Sequence, residues 1–462
     1  MDRLILRSPP GTPDPFTVEI EGASPDASRR VFSIDSRLHA LAGVQHADYL
    51  DFYARQASEL GIPVPLARQR QVLPEPEPAL RPVLTEALSP AIRYGYGDPA
   101  VIRVREADGG HSWRLLVTSN DAPDAFPILR SDDLRSWRPA GFVFPQGRAP
   151  AWTLTGEDRA DFWAPEMHQV GGEYWVVYAA RGRDRALGVG LARSASPDGP
   201  FLGDEAPLIG GGVIDPHILM VGSRPYLVWK SDTNDLWPRL LADLLHRRPQ
   251  LASVLWAGTP ERRAASLALT LWPWTRTLEP MEQFFVNQPL IEAATADFAG
   301  LRRALASLGG EAEPILDAMG TRIHAQALSA DGRSLAGEPT LLLENDQPWE
   351  AHLVEGAWIT QHGGRRLLVY AGNDFSTPHY GIGFAVADQP LGPYRKLPGP
   401  LIGSTQAWWG PGHPSIAPGP DGRLHLFLHA FRPGKAGYKA FRALLATVLE
   451  LGEDGVRLRE PW

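Results

Sequence analysis

From about Tyr94 onward, short apolar runs alternate with turns rich in Gly, Pro and Asp, a rhythm that predicts short strands joined by tight connections. Five of these runs are alike: Trp113 to Thr118, Glu173 to Ala180, Pro225 to Lys230, Arg365 to Ala371 and Arg423 to His429. Each follows a polar turn: Asp108-Gly109-Gly110, Gly171-Gly172, Gly222-Ser223, His362-Gly363-Gly364 or Asp421-Gly422. Ahead of each turn lies an apolar segment that carries an acid, or a His near its start. One unit repeated five times with one long interruption predicts radial repetition: an all-β, five-bladed β-propeller, which protects its sheet edges without closing a barrel. A β-sandwich uses similar strands but has no reason to repeat one unit in this way.

Two stretches break the rhythm. Residues 1–87 read as an N-terminal extension, with a helix predicted near Ala47 to Leu60 and a Pro-rich linker from Val72 to Pro82. Between residues 235 and 320, apolar positions recur at helical spacing, as in Leu240, Leu241, Leu244 and Leu245, then Leu301, Leu305 and Leu308. Strand-type composition resumes at Arg322. The expected organisation is therefore an extension (1–87), propeller segments (88–234 and 321–462) and a helical insertion (235–320) within the third blade, leaving from a loop tip. Trp237, Trp256, Trp272, Trp274, Phe284 and Phe285 make the insertion aromatic. Three readings stay open: a lid that narrows a pocket, a surface through which copies form a homo-oligomer, or a subdomain with its own core.

Composition narrows the function classes. Hydrophobic residues make up 44% of the chain, enough for a sizeable core, and the net charge is −8 with no dominant basic stripe, which argues against nucleic acid as the partner. The absence of cysteine excludes disulfides and thiolate metal sites and leaves the compartment open. Met1 to Pro10 lacks the apolar run of a secretory signal. The most apolar stretch, Ala264 to Trp274, is shorter than the ~20 residues that span a bilayer. A cytoplasmic protein without a membrane is the expectation. Fifteen Trp would suit stacking on sugar rings, although large β cores use Trp as well.

Three acids sit in stiff, apolar contexts near strand ends. Asp98 lies in Tyr96-Gly97-Asp98-Pro99-Ala100-Val101, Asp215 in Val213-Ile214-Asp215-Pro216-His217-Ile218, and Glu355 in Leu353-Val354-Glu355-Gly356-Ala357-Trp358. Singly, each could be a turn former ahead of Pro, or a buried acid satisfied by backbone N–H groups. Together they fall in equivalent units of a repeat whose strands converge on one axis, and that convergence points to chemistry.

Several segments then appear in a telling order: Arg130-Ser131-Asp132-Asp133-Leu134-Arg135-Ser136-Trp137, Phe162-Trp163-Ala164-Pro165-Glu166, Ser196-Pro197-Asp198-Gly199-Pro200-Phe201, and Ala325 to Gly332. Gly381-Ile382-Gly383-Phe384-Ala385, Leu391-Gly392-Pro393-Tyr394 and Gly410-Pro411-Gly412-His413 follow. In this ordered set the chain resembles glycoside hydrolase family 43, over roughly Tyr94 to Asp232 and Thr321 to the C-terminus. The resemblance implies a five-bladed propeller with an axial active site. It makes Asp98 the general base that activates water, Asp215 the aspartate that positions the acid and raises its pKa, and Glu355 the general acid. An acid that works near neutral pH must hold its proton far above the ~4.3 of a free Glu, which burial and a neighbouring anion supply. Should the reaction invert, the base and acid carboxyls are expected ~6.5–9.5 Å apart. Ala357 stands where the family often has Pro.

The same resemblance places His413 near the axis, where it leaves room for a hydrated Ca²⁺ without requiring a cofactor; a His contacting substrate or a core acid is the other reading. Trp163 is a candidate sugar platform or an inter-blade core residue, and Glu166 a structural or sugar-hydroxyl contact. His217 and Trp358 read as packing, and Lys230 as a contact for substrate or for the inserted helices. The leading expectation is an inverting, exo-acting glycosidase releasing terminal α-L-arabinofuranose or β-D-xylose from an oligosaccharide. An endo-acting arabinanase or galactan-directed enzyme, and a non-catalytic carbohydrate-binding propeller, are the alternatives.

Overall fold

The computed structural model describes residues 73–462 apart from 157–159, 259–260, 263, 266–267, 270–271, 273–274, 277–282, 285–286, 434, 437–438 and 453–454; before residue 73 it describes only the strands Arg3–Arg7, Phe16–Glu21 and Phe32–Ile34, which pair as one antiparallel sheet. The helix expected near Ala47 to Leu60 lies outside the described residues.

Five further antiparallel sheets follow one another along the chain. Their first strands are Ala100–Arg105, Trp163–Val170, Val213–Val221, Val354–His362 and Trp409–Pro418. These strands pack each against the next, and the fifth against the first, which closes a ring with one sheet per blade. The five similar runs of the sequence form the second strands. A separate apolar cluster fills each of the five gaps between blades. Ile218 and Leu227 of blade three, for example, pack on Val177 and Leu191 of blade two. Burial of such side chains is worth ~1.5–3 kcal/mol each, so the ring is held mainly by its interfaces.

Ring closure uses both ends of this unit. In the fifth sheet, Ala443–Gly452 pairs along one edge with the C-terminal strand Gly455–Arg459 and with Arg81–Leu84. The Pro-rich segment is therefore not a free linker. Its end forms a strand, and Pro74 accepts a hydrogen bond from the Gln406 N–H.

The long interruption falls between the second and third strands of the third sheet, Arg224–Ser231 and Arg322–Leu328. Compactness divides the chain into this propeller and a second unit, comprising residues 1–72, 233–320 and 437–439. In the second unit, helix Leu236–Arg247 buries Trp237, Leu241, Leu244 and Leu245, and helix Phe298–Ala306 buries Phe298, Leu301 and Leu305. Trp237 meets Phe298 edge-on, and the Trp256 indole donates to the Ala293 carbonyl at 2.9 Å. The described aromatics of the insertion thus build a core. Among the described residues no helix is long and apolar enough to cross a membrane.

One local feature recurs at the hub. A left-handed residue stands at the start of every innermost strand: Asp98 (φ 53°), Ala164 (45°), Asp215 (55°), Gly356 (57°) and His413 (46°). Pro follows it in four of the five cases, and Ala357 follows Gly356. In sheets two to five the register with the second strand slips at this point, the mark of a bulge that re-aims a side chain. Positive φ costs a non-glycine residue ~1–3 kcal/mol and collects where function over-determines the backbone. At Gly356 the missing side chain removes that cost and also makes room, since a Cβ would fall 2.9 Å from His413 Nδ1.

Candidate active site

The hub kinks bring Asp98, Asp215 and His413 together, with Glu355 one residue ahead of the fourth kink. Asp98 is gripped from several sides. Arg442 donates to its Oδ1 at 2.8 Å, the Thr118 hydroxyl donates to Oδ2, and His413 Nδ1 lies 3.5 Å from Oδ1. The Asp98 N–H donates to His429 Nδ1 at 3.1 Å. Burial alone would raise the pKa of this carboxyl, but the Arg442 guanidinium, aided by the imidazoles and Thr118, holds it well below the usual range. Asp98 is an anion at any working pH.

The other two acids are treated oppositely. Asp215 Oδ2 accepts the Gly356 N–H at 2.8 Å and lies 4.0 Å from His413 Nδ1. Burial pushes its pKa up to about 7; Lys230 opposes the rise, and Asp98 adds to it. Glu355 takes the Tyr380 hydroxyl on Oε1 at 2.7 Å and the Lys230 ammonium on Oε2 at 3.3 Å. Burial, opposed by Lys230 and reinforced by Asp215, raises its pKa too. Contacts from Asp98 to the Glu355-Gly356 backbone thus run through His413 and Asp215, with an ionised carboxylate at one end and a proton-retaining carboxyl at the other. That pairing is the equipment of general acid–base chemistry.

Arg442, Thr118, Tyr380 and His429 do not stand out in the sequence. The signal for two of them is a neighbouring glycine. A Cβ on Gly97 would fall 1.9 Å from Arg442 Cζ, and one on Gly412 would fall 1.8 Å from Tyr380 Cε1. Each glycine is the space in which a partner of a hub acid sits.

Trp163 is half-buried and donates its indole N–H to Asn120 Oδ1 at 2.9 Å. Glu166 is placed differently from a sugar contact. It is 3% exposed, and its Oε2 meets His217 Nδ1 at 2.7 Å and His168 Nε2 at 3.0 Å. Both imidazoles pack against Trp358, so the cluster clasps blades two, three and four. Of the two expectations for Glu166, a structural contact or a sugar-hydroxyl contact, these bonds fit the structural one.

Two imidazoles and a carboxylate with ligand atoms within 4.8 Å of one another suit a transition metal by type. Their hydrogen bonds argue otherwise. The Ile359 N–H points at His217 Nε2 at 3.3 Å, so the ring proton sits on Nδ1, facing Glu166. A metal on Nδ1 would drive that proton onto Nε2, against a backbone donor. Burial holds the His217 pKa down to about 3 and raises that of Glu166, as a neutral hydrogen-bonded clasp requires. At His413, Ca²⁺ would find nitrogen where it wants six to eight oxygens, and Nδ1 is already turned to Asp98 and Asp215. The side chains alone do not form a calcium cage there, so a Ca²⁺ at His413 would be a hydrated ion that takes most of its oxygens from water.

Replacing Glu166 by Ala would leave the buried His217 N–H without an acceptor. The expected result in chemical denaturation is a loss of ~1–3 kcal/mol of stability with KM unchanged. A raised KM at unaltered stability would return Glu166 to the sugar site.

A five-bladed propeller with carboxyl groups of opposed ionisation at its hub is equipped for general acid–base catalysis, as cleavage of a glycosidic bond needs. Comparison with known proteins agrees: the family model of the glycosyl hydrolases family 43 matches residues 87–265 and 310–457, and the chain belongs to that family. It is a glycosidase. A xylosidase/arabinosidase of Bacteroides ovatus is 21% identical over 355 residues, 75% of this chain and 87% of the relative. A probable arabinan endo-1,5-alpha-L-arabinosidase C of Aspergillus niger is 28% identical over 120 residues, 24% of this chain and only 36% of that relative. Among solved structures, a thermostable family-43 glycoside hydrolase superposes with a TM-score of 0.55 at 23% identity, over 79% of this chain and 93% of that one. A xylan beta-1,4-xylosidase from Bacillus halodurans gives a TM-score of 0.51 at 17% identity, over 83% and 56%. At these identities the structural likeness concerns the fold.

Proposed function

We propose that this glycosidase is inverting and exo-acting, and that it releases terminal α-L-arabinofuranose or β-D-xylose from plant-polysaccharide oligosaccharides. Asp98 is the general base: it takes a proton from the water that attacks the anomeric carbon. Glu355 is the general acid: it gives its proton to the departing glycosidic oxygen. Asp215 keeps that proton on Glu355 and orients it through Gly356. Trp163 and His413 border the sugar.

The observation that carries this reading is the opposed treatment of the two carboxyls, Asp98 held as an anion by Arg442 and Glu355 buried beside Asp215. Inversion needs the base and acid carboxyls ~6.5–9.5 Å apart, with a water between Asp98 and the sugar. The choice of pentose follows the Bacteroides ovatus xylosidase/arabinosidase, aligned over 87% of its length. The test is a screen of 4-nitrophenyl pentosides and arabino- and xylo-oligosaccharides, with the first-formed anomer read by NMR. Single pentoses of inverted configuration are expected. Retained configuration would overturn the mechanism, and internal cleavage into oligosaccharides would establish the endo mode.

A further inference from the structure

Lys230 is the hub side chain that the division between base and acid leaves unused. It lies on the second strand of blade three, opposite Ile214, and is 1% exposed. Its Nζ is 3.3 Å from Glu355 Oε2, while the Tyr380 hydroxyl is 2.7 Å from Oε1. The two partners differ in kind. An ammonium only donates, whereas a phenol donates or accepts. Oε2 is therefore an acceptor whatever the state of Glu355, and a proton on the carboxyl belongs on Oε1. Tyr380 has little freedom to alter this, because its ring stacks on His429 and packs against Gly412.

We propose that Lys230 is a second positioning residue of the general acid, beside Asp215: it assigns the proton to Oε1 and neutralises the charge that reaches Oε2 when that proton leaves. In the step, the Oε1–H bond breaks as its proton joins the glycosidic oxygen. The electron pair of the breaking C–O bond goes to that oxygen, while water adds to the anomeric carbon and releases a proton to Asp98. Glu355 finishes as a carboxylate with one oxygen against an ammonium and the other against a phenol. A buried carboxylate without such partners is costly. The inference rests on reading Glu355 as the acid.

The charged and titratable groups around this pair are Asp215, His352, Tyr380 and His413, with Asp98 and Asp232 acting on Asp215. Burial, with Lys230 second, holds His352 down to about 3, so it stays neutral. Asp98 stays ionised.

The test compares the wild type with K230M, K230R and E355Q on two glycosides of the same sugar, an unactivated methyl glycoside and an activated 2,4-dinitrophenyl one. For K230M, kcat on the methyl glycoside should fall ~10-fold while the dinitrophenyl rate stays within ~3-fold. The alkaline limb of kcat/KM should move to higher pH, since the nearby cation no longer favours the anion of Glu355. K230R should restore both. Equal losses on the two glycosides, or an unmoved limb, would make Lys230 structural and overturn the proposal. K230Q serves the same purpose if K230M does not fold. If neither folds while K230R does, the lysine is a structural ion partner and the inference falls. E355Q separates the two levels: a loss confined to the methyl glycoside upholds Glu355 as the acid. Should E355Q lose both alike, that assignment fails and takes the inference with it. A selective E355Q beside an unselective K230M removes only the role given to Lys230.

Discussion

Replacing Asp98 by Asn should lower kcat by ~10²–10⁴-fold, and by a similar factor whether the leaving group is activated or not. The amide is nearly isosteric. Its oxygen can still accept from Arg442, while the amide nitrogen that replaces Oδ2 donates to the Thr118 hydroxyl, so the hub should keep its shape. What disappears is the proton acceptor, and a water that cannot lose its proton attacks slowly however good the departing group is. KM should change little, because the sugar contacts remain. Parallel kcat measurements on the methyl and dinitrophenyl glycosides of the preferred pentose would check this. A dinitrophenyl rate close to wild type would show that Asp98 does not activate the water, and the base would have to be sought elsewhere at the hub.

The features that suit Asp98 to the proposed role of base are only partly visible in the sequence. The acid itself was legible, because a carboxylate between Gly97 and Pro99 at the head of an apolar strand is poorly placed as a solvated charge. The repeat was legible for a related reason: the second strands follow Gly turns that punctuate the chain. Arg442 was not, since it stands 344 residues from Asp98 in the sequence. It reaches Asp98 because ring closure brings Arg442 beside Gly95 as an isolated parallel bridge. No local pattern records a contact that exists only once the last blade meets the first. The Pro-rich segment misleads in the opposite way. Proline suggests a linker because it cannot donate to a ladder, yet Pro82 sits opposite Leu445 on an edge strand, where the missing N–H matters least.

Glu166 shows a second limit. Its place after Trp163-Ala164-Pro165 put it near the hub, and that much was readable. Whether it faces the sugar or the packing depends on side-chain alternation beyond the bulge at Ala164, where the register with the second strand slips. A bulge undoes the simple period of two on which such a reading depends. The same device, placed at the head of blades three and five, turns Asp215 and His413 together. Backbone strain at the hub and the gathering of functional groups there are therefore two aspects of one arrangement.

Asp215→Asn should act in the opposite sense to the loss of Lys230. Asn still offers an oxygen to the Gly356 N–H, so the backbone beside Glu355 should hold. The charge that Asp215 carries above about pH 7, which resists ionisation of Glu355 there, is gone, however, while Lys230 continues to favour that ionisation. The pKa of Glu355 falls, and its proton is lost at a pH where the wild type retains it. In the proposed mechanism, activity requires Asp98 ionised and Glu355 protonated. The acid limb, set by the depressed Asp98, should stay where it is, and the alkaline limb should move to lower pH. Each unit of movement costs ~10-fold in the protonated fraction on the alkaline side, so kcat/KM near neutrality should fall by ~10²-fold if the limb moves by about two units. Part of the loss should return on acidification, and most of it on the dinitrophenyl glycoside, which needs no proton. A pH profile of both substrates decides the matter. An unmoved alkaline limb with equal losses on the two glycosides would mean that Asp215 only supports the backbone, and that burial alone keeps the proton on Glu355.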